Sequence, residues 1–201
     1  MARDPKSIKP KPKLPLAVFT VKPLNWSPPL HELDTFDVER RFEAFRQHAN
    51  RVINTMDDRP TGWLFAHLHG AYDPATQSFP LHLHGFATGG MIDVIDGLRK
   101  LSMYAPARPH DGRDAANTPI VINRDPHSMP YGIHYFLLQR WWPLRETYLG
   151  KDGLRHAFRV PRQRIPEPAH SEYLQFLDSY ALDKLMLRIG ITVSANGLVA
   201  R

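Results

Sequence analysis

Residues 63–86 read WLFAHLHGAYDPATQSFPLHLHGF, and this stretch decides the fold. It holds two His-Leu-His triplets, His67-Leu68-His69 and His82-Leu83-His84, separated by a segment rich in turn-forming residues. In a β-strand, residues two apart point to the same face. Each triplet therefore sets two imidazoles on one side of a strand and a leucine on the other. The pattern predicts strands over residues 62–69 and 79–88, with residues 70–78 as the turn and Asp73-Pro74 as its initiator. Strands joined this way pair directly, so up to four imidazoles gather in one patch. The chemistry that exploits such a patch is divalent-metal binding or proton transfer.

Working outward, residues 16–21 (LAVFTV) are β-rich and flanked by prolines, a strand. Residues 23–30 form a loop with three prolines. Asp34 or Thr35 then caps a helix whose apolar positions, Val38, Phe42, Phe45, Ala49 and Val52, advance in steps of four and three and define one buried face. Gly89-Gly90 ends the third strand. A short helix follows, with Ile92, Ile95 and Leu98 on one face and Asp93 and Asp96 near its positive end. Residues 105–118 are a polar loop, and residues 119–123 (PIVIN) a short fourth strand. Residues 129–142 form a largely apolar helix stopped by Pro143. Residues 144–168 are basic and irregular. Residues 170–189 read as an amphipathic helix through Tyr173, Phe176, Leu177, Tyr180 and Leu187, and residues 190–201 as a strand or a hairpin around Asn196-Gly197. The order strand, helix, strand, strand, helix, strand is the split β-α-β plan of a ferredoxin-like antiparallel sheet. The expectation is an α+β protein with a basic arm at 1–15, a domain over 16–143, and a basic loop with added C-terminal helices over 144–201.

Composition narrows the chemistry. The chain of 201 residues is long enough for one domain with a proper core. It has no cysteine, which excludes disulfides, thiolate zinc sites and cysteine nucleophiles. Any metal is held by His, Asp, Glu or water. No apolar run is long enough to span a bilayer, and the basic, proline-rich N-terminus does not read as a secretory signal, so a cytoplasmic, non-membrane protein is expected. The formal charge is +6, which points to a polyanionic partner. The first fifteen residues carry Arg3, Lys6, Lys9, Lys11 and Lys13 against Asp4, so an extended arm holds most of that excess.

His82 and His84, on one strand face, reach a single ion; a third ligand from the neighbouring strand, His67 or His69, leaves coordination positions open for water or substrate. The other histidines (His31, His48, His110, His127, His134, His156 and His170) are scattered and take no metal role. Tyr131 and Tyr135, four apart on the 129–142 helix, share one face and are the candidate nucleophiles, since tyrosine can form a covalent intermediate. Lys151, Arg155, Arg159, Arg162 and Arg164 suit phosphate contacts without sequence readout.

The run FPLHLHGFATG resembles the His-hydrophobic-His motif of the HUH endonuclease superfamily, which includes rolling-circle replication initiators, conjugative relaxases and related transposases. The wider hairpin is similar to that of phage and plasmid initiators, in which a polar ligand precedes the His pair; His67 or His69 occupies that place here. The spacing of Tyr131 and Tyr135 matches the family's Tyr-x-x-x-Tyr. The resemblance implies a ferredoxin-like sheet, a divalent ion (Mn or Mg, or else Zn), and a single-stranded or hairpin DNA partner. It further implies attack of tyrosine on a phosphodiester, giving a 5′-phosphotyrosine and a free 3′-hydroxyl. Two other readings compete: a non-catalytic DNA-binding relative with a structural or vestigial metal site, and a histidine-triad-like nucleotide hydrolase, whose third alternating position is filled here by Phe86.

Overall fold

Prolines at 15 and 23 bracket the first strand, β1 (Leu16–Val21), in the computed structural model of the protein. The structure describes residues 15–105, 119–124, 144–149, 151, 155–160, 165–194 and 197–200. The arm at 1–14, the 129–142 helix with Tyr131 and Tyr135, and the candidate phosphate contacts Arg162 and Arg164 lie outside the described residues. After β1 come α1 (Val38–Ile53), β2 (Leu64–His69), β3 (His82–Thr88), α2 (Met91–Gly97) and β4 (Ile120–Asn123). β5 (Leu144–Leu149) and β6 (Arg155–Val160) follow, then α3 (Ala169–Asp178), β7 (Met186–Ile189), β8 (Ile191–Ser194) and β9 (Gly197–Ala200).

Five strands form one antiparallel sheet in the order β4-β1-β3-β2-β7. Its first four members are in ferredoxin-like order, as the sequence predicts, and β7 extends the sheet beside β2. Strand alternation divides the sheet into two unlike faces. Ala17, Phe19, Val21, Leu64, Ala66, Leu68, Leu83 and Ala87 are all buried and join one hydrophobic cluster with α1 and α2. Val38, Phe42, Phe45 and Ala49 are the buried stripe of α1, and Ile92 and Ile95 that of α2. The opposite face carries Val18, Thr20, Phe65, Phe86 and all four histidines of the two triplets.

Where the chain departs from expectation, local chemistry explains it. α1 is capped by Asp37, whose side chain accepts from the Arg40 N–H at 2.9 Å. Asp34 and Thr35 belong instead to the 3₁₀ turn over Leu30–Thr35. The basic stretch after residue 143 is not irregular throughout: β5 and β6 pair antiparallel, with Leu144 opposite Val160 and Arg145 opposite Arg159. Arg155 and Arg159 thus sit on a two-stranded ribbon, and Lys151 lies exposed in its turn.

The helix expected over 170–189 stops at Asp178. After a 3₁₀ turn at Leu182–Leu185, the chain becomes β7. Met186–Ile189 turns from helix to strand because β2 offers an unpaired edge, where a strand satisfies backbone groups that a helix would leave to water. β8 and β9 form the terminal hairpin, with Ser194 opposite Gly197.

α3 and the turn after it fasten the C-terminal region to Phe79, just before β3, and to Phe36, just before α1. Tyr173 stacks on Phe79 with ring centroids 4.6 Å apart and planes 9° from parallel. The Tyr180 hydroxyl donates to the Phe36 carbonyl at 3.0 Å. Asp73 and Ser78 close the β2–β3 turn by mutual backbone hydrogen bonds, and the Asp73 carboxylate accepts from the Ala75 N–H at 3.0 Å. This turn and the Tyr173–Phe79 stack fix how the chain enters β3, and so where His82 begins.

Candidate metal centre

Two neighbouring strands bring the imidazoles together by register. His69 lies opposite His82 and His67 opposite His84. β2 and β3 occupy the interior of the sheet, flanked by β7 and β1, so the backbones that carry the rings are held on both edges. His69, His82 and His84 form a group in which each offers one ligand nitrogen and all three nitrogens lie within 4.8 Å of one another. It is the one group of three or more such donors among the described residues. Tetrahedral zinc with nitrogen ligands asks for N···N separations of about 3.4 Å, so side-chain rotation of about an ångström closes the set around an ion.

Of the two candidates for a third ligand, His69 is the one that joins this group. His67 sits deeper, at 1% exposure against 7% for His69 and 9% each for His82 and His84. Its Nδ1–H donates to the Leu68 carbonyl at 2.9 Å, which turns the ring toward its own strand. The His67 ring meets His69 edge-on, with centroids 5.7 Å apart. The tightest ring contacts in the group are His82–His84 at 4.7 Å and the diagonal His69–His84 at 4.8 Å; the directly opposed pair His69–His82 is wider, at 6.0 Å. Diagonal neighbours on an antiparallel pair meet when side chains are long.

Hydrogen bonds at Nδ1 orient two of the three rings, His82 and His84. His82 Nδ1 lies 3.0 Å from the Pro80 carbonyl, which can only accept, so Nδ1 carries the proton and Nε2 keeps its lone pair. His84 Nδ1 lies 2.7 Å from Thr20 Oγ1. With Nε2 turned to an ion, Nδ1–H donates to that hydroxyl, the usual way a ligand histidine has its tautomer and ring angle fixed. Replacing Thr20 by valine keeps the shape and removes the acceptor. Metal affinity is expected to fall by about tenfold, read by competition with a chromophoric chelator; an affinity equal to that of the parent chain would show that the hydroxyl has no orienting role.

Burial favours the neutral form of His82 and of its neighbour His67. Burial, and to a lesser degree the neighbouring His84, His69 and Lys22, hold His82 well below the ordinary imidazole value of 6.5; the Pro80 carbonyl pulls weakly the other way. Burial also lowers His67 against a smaller upward pull from Leu68. Neutral imidazole is the metal-binding form. The same shifts make the metal-free fold acid-sensitive. Above pH 6.5 both folded and unfolded chains carry these rings neutral, and stability is complete. As pH falls below 6.5, the unfolded chain takes up protons that the folded chain refuses, so stability drops toward the lowered folded values. The urea midpoint of the metal-free protein should decline between about pH 7 and pH 5, and His82→Gln should flatten that decline. A pH-independent midpoint would contradict the assignment of buried neutral rings.

The fold and site together define an α+β domain with a ferredoxin-like sheet and a buried three-histidine group able to hold a metal ion. No protein-family model, curated protein or solved structure matches the chain. No described helix is long and apolar enough to cross a membrane.

Proposed function

We propose that the protein nicks and rejoins single-stranded DNA through a metal-assisted tyrosine nucleophile. The observation that carries this reading is the placement of His69, His82 and His84 on one face of two adjacent interior strands, β2 and β3, of a ferredoxin-like sheet. An ion held by His69, His82 and His84 would keep the full charge of a dication, because imidazole ligands are neutral. Such an ion would supply Lewis-acid polarisation and stabilise the charge that develops on a phosphate. The oxygen of Tyr131 or Tyr135 forms a bond to phosphorus as the bond to the 3′-oxygen breaks. The phenolic proton leaves and the departing oxygen is protonated, giving a 5′-phosphotyrosine and a 3′-hydroxyl. Lys151, Arg155, Arg159, Arg162 and Arg164 are the proposed contacts to the DNA backbone, supplying salt-dependent affinity.

The donor set bears on the ion. An all-imidazole group suits zinc, whereas magnesium favours carboxylate, carbonyl and water oxygen. The expected order of affinity is Zn²⁺ above Mn²⁺ above Mg²⁺, measured by titration calorimetry on the full chain. Magnesium binding as tightly as zinc would show that oxygen ligands complete the site.

The function is tested by incubating the protein and a divalent metal with labelled single-stranded oligonucleotides that tile the DNA flanking its own gene. A covalent adduct on a denaturing gel, lost in His82→Ala and in Tyr131→Phe or Tyr135→Phe, is the expected result. Metal binding and DNA retardation without an adduct would replace catalysis by the non-catalytic binding reading.

A further inference from the structure

One row of residues crosses the histidine face of the sheet beside the metal group. The strand registers align Arg188 on β7, Phe65 on β2, Phe86 on β3, Val18 on β1 and Asn123 on β4. The adjacent row on that face contains His67 and His84. Phe65 is thus a diagonal neighbour of His84, a relation that sets residues about 7 to 8 Å apart. Leu64, Ala66 and Leu68, on the other face of β2, are sealed, whereas Phe65 is half-buried. Part of its ring surface is therefore open to solvent on the face that the imidazoles occupy.

The two ends of this row differ. β7 is the outermost strand, and beyond it a cavity of about 510 Å³ opens between β7 and α1, bordered by Arg40, Phe42, Arg46 and Arg188. Of the acidic residues on its rim, Glu39 lies 2.9 Å from Lys184 and Glu43 lies 3.4 Å from Arg46, while Asp183 completes the border. Arg40 and Arg188 take part in no ion pair among the described residues. At the β4 end the row offers Asn123, and the cation that follows, Arg124, lies 3.4 Å from Asp93. An aromatic face with uncompensated guanidinium groups beyond it suits a ligand that joins a flat ring to an anion, as each nucleotide does. A base can stack on an aromatic side chain only when its own face is unpaired and exposed.

We propose that Phe65 and the groove at the β7 edge form the path of a single nucleic-acid strand, with one base stacked on Phe65 and the neighbouring phosphates against Arg188 and Arg40. The proposal rests on the single-stranded DNA reading and deepens it by giving the strand a direction, across β2 toward β7. It needs no covalent step.

The test is fluorescence anisotropy of a labelled oligothymidylate with the full chain, across a range of salt concentrations, beside a zinc titration of each variant. Phe65→Leu should bind the oligomer about tenfold more weakly and Phe65→Tyr within about threefold of the parent, because stacking needs a ring and not a particular sequence. Zinc affinity should stay at the parent value in both. An abasic oligomer of the same length should bind the parent and Phe65→Leu alike, which a merely structural phenylalanine does not predict. Arg188→Gln should reduce the salt slope by about 0.7, one phosphate contact on a single strand, and Arg124→Gln should leave it unchanged.

Parent-like binding in Phe65→Leu overturns the proposal, as does an equal loss on the abasic oligomer or a duplex bound as tightly as the single strand. Should Phe65→Leu lose zinc as well, the parent decides: no preference for oligothymidylate over the abasic oligomer overturns the stacked base. A salt slope that falls in Arg124→Gln and not in Arg188→Gln overturns the direction. The expected losses without any covalent adduct sink the nicking reading and leave the strand path standing; an adduct that forms while Phe65→Leu binds like the parent does the reverse. No binding of any single strand removes both.

Discussion

His82→Ala should lower zinc affinity by more than about a hundredfold, and His69→Ala and His84→Ala should do the same. Loss of an orienting partner alone typically costs ten- to a hundredfold; loss of a ligand removes a bond and leaves two imidazoles that cannot enclose the ion. His67→Ala is the contrast. Its ring lies outside the three-nitrogen group and is tied to the Leu68 carbonyl, so its removal should leave affinity within a few-fold. Calorimetry or chelator competition on the four single variants gives the answer directly. A large loss in His67→Ala with little change in His69→Ala would transfer the third ligand to His67.

Gly85→Val should destabilise the fold by about 3 kcal/mol or more, at or above the upper end of ordinary overpacking. A β-carbon at Gly85 would stand 2.2 Å from the Phe65 carbonyl oxygen and 2.7 Å from both Cα and Cβ of Ala66. The obstacles are two backbone atoms and an alanine Cβ of the neighbouring strand, none of which a change of rotamer can move. β2 and β3 would have to move apart, and these strands carry all three proposed ligands. A single change on the apolar face therefore damages stability and metal binding together. Urea unfolding and a zinc titration on the same preparation test both effects. A midpoint and an affinity like those of the parent would mean that the two strands are not held as closely as described.

The residues that made the architecture readable were those with strong periodicity. Val38, Phe42, Phe45 and Ala49 marked α1, and the two His-Leu-His triplets marked β2 and β3, because the buried faces of these elements are set by their own side chains. Met186–Ile189 was not readable as a strand. Leu187 continues the apolar spacing of Tyr173, Phe176 and Tyr180, and only the open edge of β2, a feature of the tertiary fold, makes the segment extended. The β5–β6 ribbon was hidden for the opposite reason: LRETYL and RHAFRV mix charge and apolar residues without the clean alternation that signals a half-buried strand. At the site, spacing placed four histidines on one face but left His67 and His69 equivalent. What separates them is depth and a hydrogen bond from His67 to its own backbone, neither of which a spacing rule contains.

The partner of β2 on its outer side comes from residues 186–189, more than a hundred positions further along the chain. During synthesis, the first four strands emerge well before the fifth, and until then one of the two ligand-bearing strands is an open edge. Contacts so distant in sequence form late because closing a long loop must precede them. The nascent chain thus has an interval in which the histidine strands exist but one of them can still pair with a stranger. An ion that binds in that interval would bridge β2 to β3 before β7 arrives, so metal supply during translation should influence how much of the protein reaches its native pairing and how much aggregates.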